Sequence, residues 1–179
     1  MNFRYIGKNV KIFDTAKIIQ PENISLGDEV MIADFCFIYA VGEGIEIGNF
    51  CHITEHGIIQ AGGLVKMEDF SAIGPRTTIL AATDDYEGNG FIGHVVLNKY
   101  RNTQFKDVII GKHAHIGMGC IIMPGVHIGE GCSIGAGSLV TKDMPEWTIC
   151  YGHPCKPIKS KPKEKILQME KEFLKEYYG

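Results

Sequence analysis

The sequence predicts an all-β fold: a prism of about six stacked triangular coils of parallel strand, a long loop extruded after the fourth coil, and one C-terminal α-helix. Three observations predict it. Large aliphatic residues recur every six positions, the departures from six always follow a third repeat, and the last stretch changes to helical spacing.

The coils come first along the chain. Between Ile110 and Val140 the aliphatics stand at Ile110, Ile116, Ile122, Ile128, Ile134 and Val140. The same ruler upstream finds Ile6, Ile12, Ile18, then Leu26, Ile32, Ile38, then Ile47, Ile53, Ile59, then Met67, Ile73, Ile79. Two residues before many of them sits a smaller one: Val10, Ala16, Val30, Cys36, Cys51, Ser71, Thr77, Ala114, Cys120, Val126, Cys132 and Ser138. Residues two apart in a strand share a face, so both sets point into one core. Glycine often follows the aliphatic directly, as at Gly7, Gly27, Gly74 and Gly117, and is expected to supply the positive φ of a tight corner. Six residues then make a strand and a corner, and three such units close a coil. Two, three, two and twenty-five residues are inserted after Ile18, Ile38, Ile59 and Ile79, so every insertion lies on one edge of the prism.

The helix follows in "PKEKILQMEKEFLKEYY". Ile166, Met169, Phe173 and Tyr177, joined by Leu167, Leu174 and Tyr178, form an apolar stripe between Lys and Glu residues, and Pro162 suits its start. The division expected is a β domain over 1–158 with the long loop at 83–107, and a helix over 159–179 lying on the prism or on a neighbouring subunit.

Composition sets bounds on function. At 179 residues and 45% hydrophobic, the chain suits one domain with a substantial core. A net charge of −3 without like-charge runs argues against a nucleic-acid groove or a polybasic membrane patch. No signal-peptide pattern and no continuous apolar span of membrane length is present, so a cytoplasmic protein is expected. Six cysteines without CxxC pairs suggest reduced thiols. Cys36, Cys51, Cys120 and Cys132 occupy inward positions, whereas Cys150 and Cys155 lie beyond the last complete coil with no partner assigned.

The residue before each aliphatic points outward. On the third side of the prism these are Lys17, Phe37, Ile58, Thr78, Ile121 and Leu139, a mostly apolar column that predicts an interface between copies or, alternatively, a bed for the C-terminal helix. The cluster "KHAHIGMGC" suggests a metal site, but the register sends His113 to a corner, His115 to the second face and Cys120 into the core. His52 and His115 share a face about 9.6 Å apart, two strand spacings, too far for a common zinc ion. At the second corner, Gly117-Met118-Gly119 and Gly135-Ala136-Gly137 make a narrow edge of exposed backbone on which a thin, amide-bearing arm could lie.

The repeated "IGxxxx" resembles the hexapeptide-repeat, left-handed β-helix family, dominated by acyltransferases, over roughly residues 6–158; the hand comes from this resemblance. "IGMGCIIMPGVHIGEGCSIGAGSLVTKDMPEWTICYGHPCKPIK" is similar to the C-terminal signature of galactoside, maltose and xenobiotic acetyltransferases, which bind acetyl-CoA between subunits. The resemblance implies acetyl-CoA as co-substrate with no metal required, and a homotrimer, which would form through Phe37, Ile58, Ile121 and Leu139. It puts Gly117, Met118 and Ala136 on the pantetheine arm, Thr141 and Lys142 further along, and Lys156 and Lys159 at the phosphates, where those relatives often carry arginine.

For the acceptor, galactoside-type relatives open the long loop with a catalytic His, where this chain has Asp84. They carry a carboxylate on the preceding coil's second corner, where this chain has His56. The expectation is an acid–base pair of His56 with Asp84 from a neighbour's loop, oriented by Glu55 or Asp85. "CHITEH" followed by "TDDYEG" resembles sugar acetyltransferases of polysaccharide and nucleotide-sugar pathways, which makes His52 a rival base; His94 is a third choice. The loop's acids, aromatics and amides suit a sugar, with Glu55, Asp85, Tyr86 and His94 as expected contacts. The activity implied is direct transfer of an acetyl group to a hydroxyl or amine of a sugar or nucleotide-linked amino sugar. No cysteine or serine stands beside a base as a nucleophile at repeat-defined positions. Two alternatives stay open: a zinc enzyme like the γ-type carbonic anhydrases, whose paired histidines have a spacing that "HITEH" and "HAH" do not match, and a non-catalytic trimeric platform.

Overall fold

The computed structural model describes residues 1–179. Its strands form three parallel sheets, one for each side of a triangular prism. The first face runs from Tyr5–Ile6 through Ile24–Leu26, Ile45–Ile47, Val65–Met67 and Val108–Ile110 to His127–Ile128. The second begins at Lys11–Ile12 and the third at Lys17–Ile19. Register keeps the aliphatic ruler intact across every insertion: Ile6 pairs with Leu26, Leu26 with Ile47, Ile47 with Met67, Met67 with Ile110 and Ile110 with Ile128. From Leu26 onward every aliphatic of the repeat is no more than 4% exposed. Ile6 is 50% exposed, because the first coil has no neighbour beneath it.

The stack is longer than six coils. Met144 bridges in parallel to Ile128 and Thr148–Gly152 pairs in parallel with Ser133–Ile134, forming two sides of a seventh coil. The chain then reverses at His153-Pro154 and returns antiparallel as Cys155–Ser160. The helix therefore starts at Glu164, with Lys163 as its cap and Pro162 ahead of the cap. Cys150 and Cys155 are buried in this last layer, and the Cys150 sulfur lies 3.7 Å from that of Cys132. Burial pushes all these thiols up, which keeps them protonated and inert.

The glycines after the aliphatics serve a different purpose from the one expected. None has positive φ. That conformation falls two residues later, at Asn9, Glu29, Phe50, Phe70 and His113 on the first edge and at Phe35, His56, Arg76, Gly119 and Gly137 on the second. The earlier glycines are needed because the next coil is too close. A Cβ on Gly74 would sit 2.6 Å from the Met118 nitrogen, and one on Gly117 2.6 Å from the Ala136 nitrogen.

The left-handed residues of the first edge stack their side chains into a ladder. The Phe50 and Phe70 rings lie 4.8 Å apart and 10° from parallel, and His113 continues the stack 5.1 Å from Phe70. The C-terminal helix, Glu164–Tyr178, docks on this ladder, with Phe173 and Tyr177 meeting Phe50 edge-on. Glu170 accepts from Lys112 and bonds His113 Nε2 at 2.9 Å. The helix thus lies on the first edge and leaves the third-face column uncovered, with Phe37, Ile58 and Ile121 each about 40% exposed.

Candidate active site

The second edge changes character along its length. Its left-handed position is filled by Phe35, His56 and Arg76 in successive coils and is bare at Gly119 and Gly137. The imidazole of His56 stacks on Phe35, 5.0 Å away and 14° from parallel, which fixes the plane of its ring. No atom lies within 4 Å of where a Cβ on Gly119 or Gly137 would sit. These two glycines, rather than Gly117, are the open positions of the expected shelf, since the free side of Gly117 faces the next coil. Met118 and Ala136 are exposed beside them. The shelf continues into the hairpin turn at His153-Pro154, and the returning strand carries Lys156 and Lys159, both exposed. Thr141 and Lys142 are exposed where the sixth coil leaves its third face.

The long loop is built on a short antiparallel pair, Ala82–Thr83 with Gln104–Phe105. Asp84 follows at once. Its carboxylate accepts from the Gly93 N–H and the Thr103 hydroxyl, each at 2.9 Å, and lies 3.5 Å from the Arg101 guanidinium. The Gly93 N–H first, then Thr103 and Arg101, hold its carboxyl below the usual carboxylate range against a smaller effect of burial. Tyr39, Gln60, His94 and Phe105 line a small cavity with it, so the structure brings Asp84 and His94 together.

Asp85 does not fit the substrate role expected of it. It is 4% exposed and accepts from the N–H groups of Glu87 and Asn89 and from the Asn102 amide, so it organises the loop. Tyr86 is 84% exposed. Glu55 is exposed beside His56, and His52 projects from the second face between Met31 and Ala72. Within one chain His56 and Asp84 do not meet, because they flank opposite edges of the uncovered third face. The opening cluster also separates as its register requires: His113 is spent on Glu170, His115 is exposed and Cys120 is core. No three His, Cys, Asp or Glu side chains converge as metal ligands. Phe35, which stacks on His56, and Arg101 and Thr103, which bond Asp84, are neighbours of the candidate residues that sequence reasoning missed; only the two-coil spacing from Phe35 to Arg76 through His56 hinted at the stack.

Fold and edge together define a β-helix protein with a bare strip of backbone on the same edge as a histidine. The family described as "Bacterial transferase hexapeptide (six repeats)" matches residues 107–142, which contain both bare glycines of the shelf. The dTDP-4-amino-4,6-dideoxy-D-glucose acyltransferase of Escherichia coli is 40% identical over 97% of this chain and 90% of its own. AntD, an N-acyltransferase from Bacillus cereus in complex with dTDP and 3-hydroxybutyryl-CoA, superposes with a TM-score of 0.93 at 39% identity, covering 99% of this chain and 93% of that one. The galactoside O-acetyltransferase of Escherichia coli K12 is 31% identical over 68% of this chain and 56% of its own. The chain belongs to the hexapeptide-repeat acyltransferases. Membership favours acyl transfer over the anhydrase and platform alternatives.

Proposed function

We propose that the protein transfers an acyl group from acyl-CoA to the amine of a nucleotide-linked amino sugar. The observation that carries this reading is the bare run at Gly119 and Gly137, on an edge that also carries His56 and continues into the Lys156 and Lys159 hairpin. Full-length likeness to the Escherichia coli amino-sugar acyltransferase supports the acceptor class.

In this reading the pantetheine amides bond the backbone around Gly117-Met118-Gly119 and Gly135-Ala136-Gly137, with Thr141 and Lys142 further along. Lys156 and Lys159 take the phosphates by charge-assisted bonds. The acceptor nitrogen attacks the thioester carbonyl, His56 takes the proton released as the C–N bond forms, and the C–S bond breaks to give the amide and a thiolate that takes this proton back from the imidazolium and leaves as CoA thiol. His52 remains the rival for that proton. Asp84, held ionised, serves as an anion that binds the acceptor amine and steadies an imidazolium, since its low pKa makes it a poor base near neutrality. The apolar column of Phe37, Ile58, Ile121 and Leu139 supports a homotrimer in which one subunit's Asp84 loop closes on its neighbour's His56. No helix is long and apolar enough to cross a membrane, and both substrates are compatible with a cytoplasmic setting.

The test is thiol release from acyl-CoA with three acceptors: a dTDP-4-amino-4,6-dideoxy sugar, its 4-hydroxy counterpart and a free galactoside. Release with the amine alone is expected; faster release with either hydroxyl acceptor would overturn the reading.

A further inference from the structure

We propose that Ser138 is a positioning residue that ties the donor shelf to the hairpin carrying its basic residues. It rests on the reading of the second edge as the acyl-CoA site. Ser138 immediately follows Gly137 and is 1% exposed. Its hydroxyl donates to the Gly135 carbonyl at 2.6 Å and accepts from the Gly152 N–H at 3.1 Å. Gly135 opens the shelf in the sixth coil, and Gly152 ends the strand that turns back toward Lys156. One hydroxyl therefore bonds both the shelf and the last residue before the turn of the hairpin.

Similar inward residues hold the edge elsewhere. Thr77 donates to the Gly117 carbonyl at 2.8 Å, and the Cys120 thiol lies 3.2 Å from the Gly135 carbonyl. Those contacts join coil to coil, where the parallel sheets already impose the spacing. Beyond Ser138 the strand ahead of the hairpin still stacks in parallel as far as Cys150, whose carbonyl accepts from the Gly135 N–H, but from Gly152 the chain reverses direction, so parallel stacking does not reach the turn or the returning strand. A hydroxyl suits this junction because it donates and accepts strongly, whereas a thiol is a weak acceptor and a methyl group does neither. CoA would span both parts, its arm on the shelf and its phosphates at Lys156 and Lys159, so a shift between them would reduce donor affinity without touching the acceptor.

The experiment measures CoA dissociation constants by calorimetry and the KM of both substrates for Ser138→Ala, for Ser138→Cys, which preserves side-chain volume, and for Ser71→Ala. Ser71 is an equally buried serine on the first edge and controls for general loosening. Both Ser138 variants are expected to weaken CoA about tenfold, the effect of roughly 1.4 kcal/mol from one unsatisfied buried group, while acceptor KM stays unchanged. Lys156→Ala should then cost less affinity in the Ser138→Ala background than in the wild type, because the lysine is already displaced. CoA affinity within twofold of wild type in both Ser138 variants, an equal loss in Ser71→Ala, or strict additivity with Lys156→Ala would overturn the proposal. A wild-type protein that fails to bind CoA would instead remove the donor-site reading on which it rests.

Discussion

A glycine in this chain does one of two jobs, and the jobs predict different phenotypes. At Gly74 the neighbouring coil excludes a Cβ, which would lie 2.6 Å from the Met118 nitrogen. Gly74→Ala is expected to cost about 1–3 kcal/mol, the range for overpacking, measured by denaturant unfolding. At Gly119 nothing crowds a methyl group, but φ is +66° and the position is part of the open shelf. Gly119→Ala is expected to cost only about 1–2 kcal/mol of backbone strain and to raise the KM for acyl-CoA more than that of the acceptor; an unchanged donor KM would count against the shelf. His56 also owes its position to a left-handed backbone, and Phe35 holds its ring. His56→Ala should lower turnover ~10²-fold or more, as for removal of a general base. A variant retaining more than about a tenth of wild-type turnover would pass the role to His52.

The C-terminal helix shows how an element finds its place. Its stripe of Ile166, Met169, Phe173 and Tyr177 is visible in the sequence, but the surface that receives it is a ladder of Phe50, Phe70 and His113 taken from three coils. Glu170 adds a polar anchor between Lys112 and His113. Burial pushes the Glu170 carboxyl up, but the bonds and charges of Lys112 and His113 outweigh it and hold the group below its ordinary value of 4.5. A carboxylate whose folded pKa is depressed contributes stability that is complete above the unfolded value and is lost as pH falls through the folded one. Hydrogen exchange of the helix should therefore be slow near neutrality and rise as pH drops below about 4.5, after correction for the intrinsic exchange rate. Glu170→Gln should remove that pH dependence and lower Tm by about 2–4 °C, the shift that ~1 kcal/mol gives in a chain of this size.

At the scale of the whole molecule, the uncovered third face organises the site. His56 and Asp84 lie beyond its opposite edges, so a single chain holds these two proposed acceptor-site residues apart. A charge placed in the apolar column, as in Ile58→Asp or Ile121→Asp, should dissociate the proposed trimer in light scattering and abolish transfer, while folded monomers retain the far-ultraviolet signature of the β-helix. A monomer that keeps wild-type turnover would show that His56 and Asp84 need no neighbour.

The sequence by itself determined the coils, the edge that takes the insertions, the inward cysteines, the helix and the narrow run at Gly117–Gly137. Each is written in spacing, and a six-residue period cannot be satisfied by many backbones. It also exposed "KHAHIGMGC" as a false metal cluster, since register alone separates those side chains. Tertiary structure decided what spacing cannot express. Asp85 has the composition of a ligand contact, yet loop N–H groups consume its carboxylate. The partial seventh coil escaped the ruler because its strand carries Cys150 at the aliphatic position and the third side is never built. Ser138 looks like any small inward residue until the hairpin brings Gly152 to its hydroxyl. Contacts between non-repeating segments depend on where the chain leaves the period, and only the folded arrangement records that.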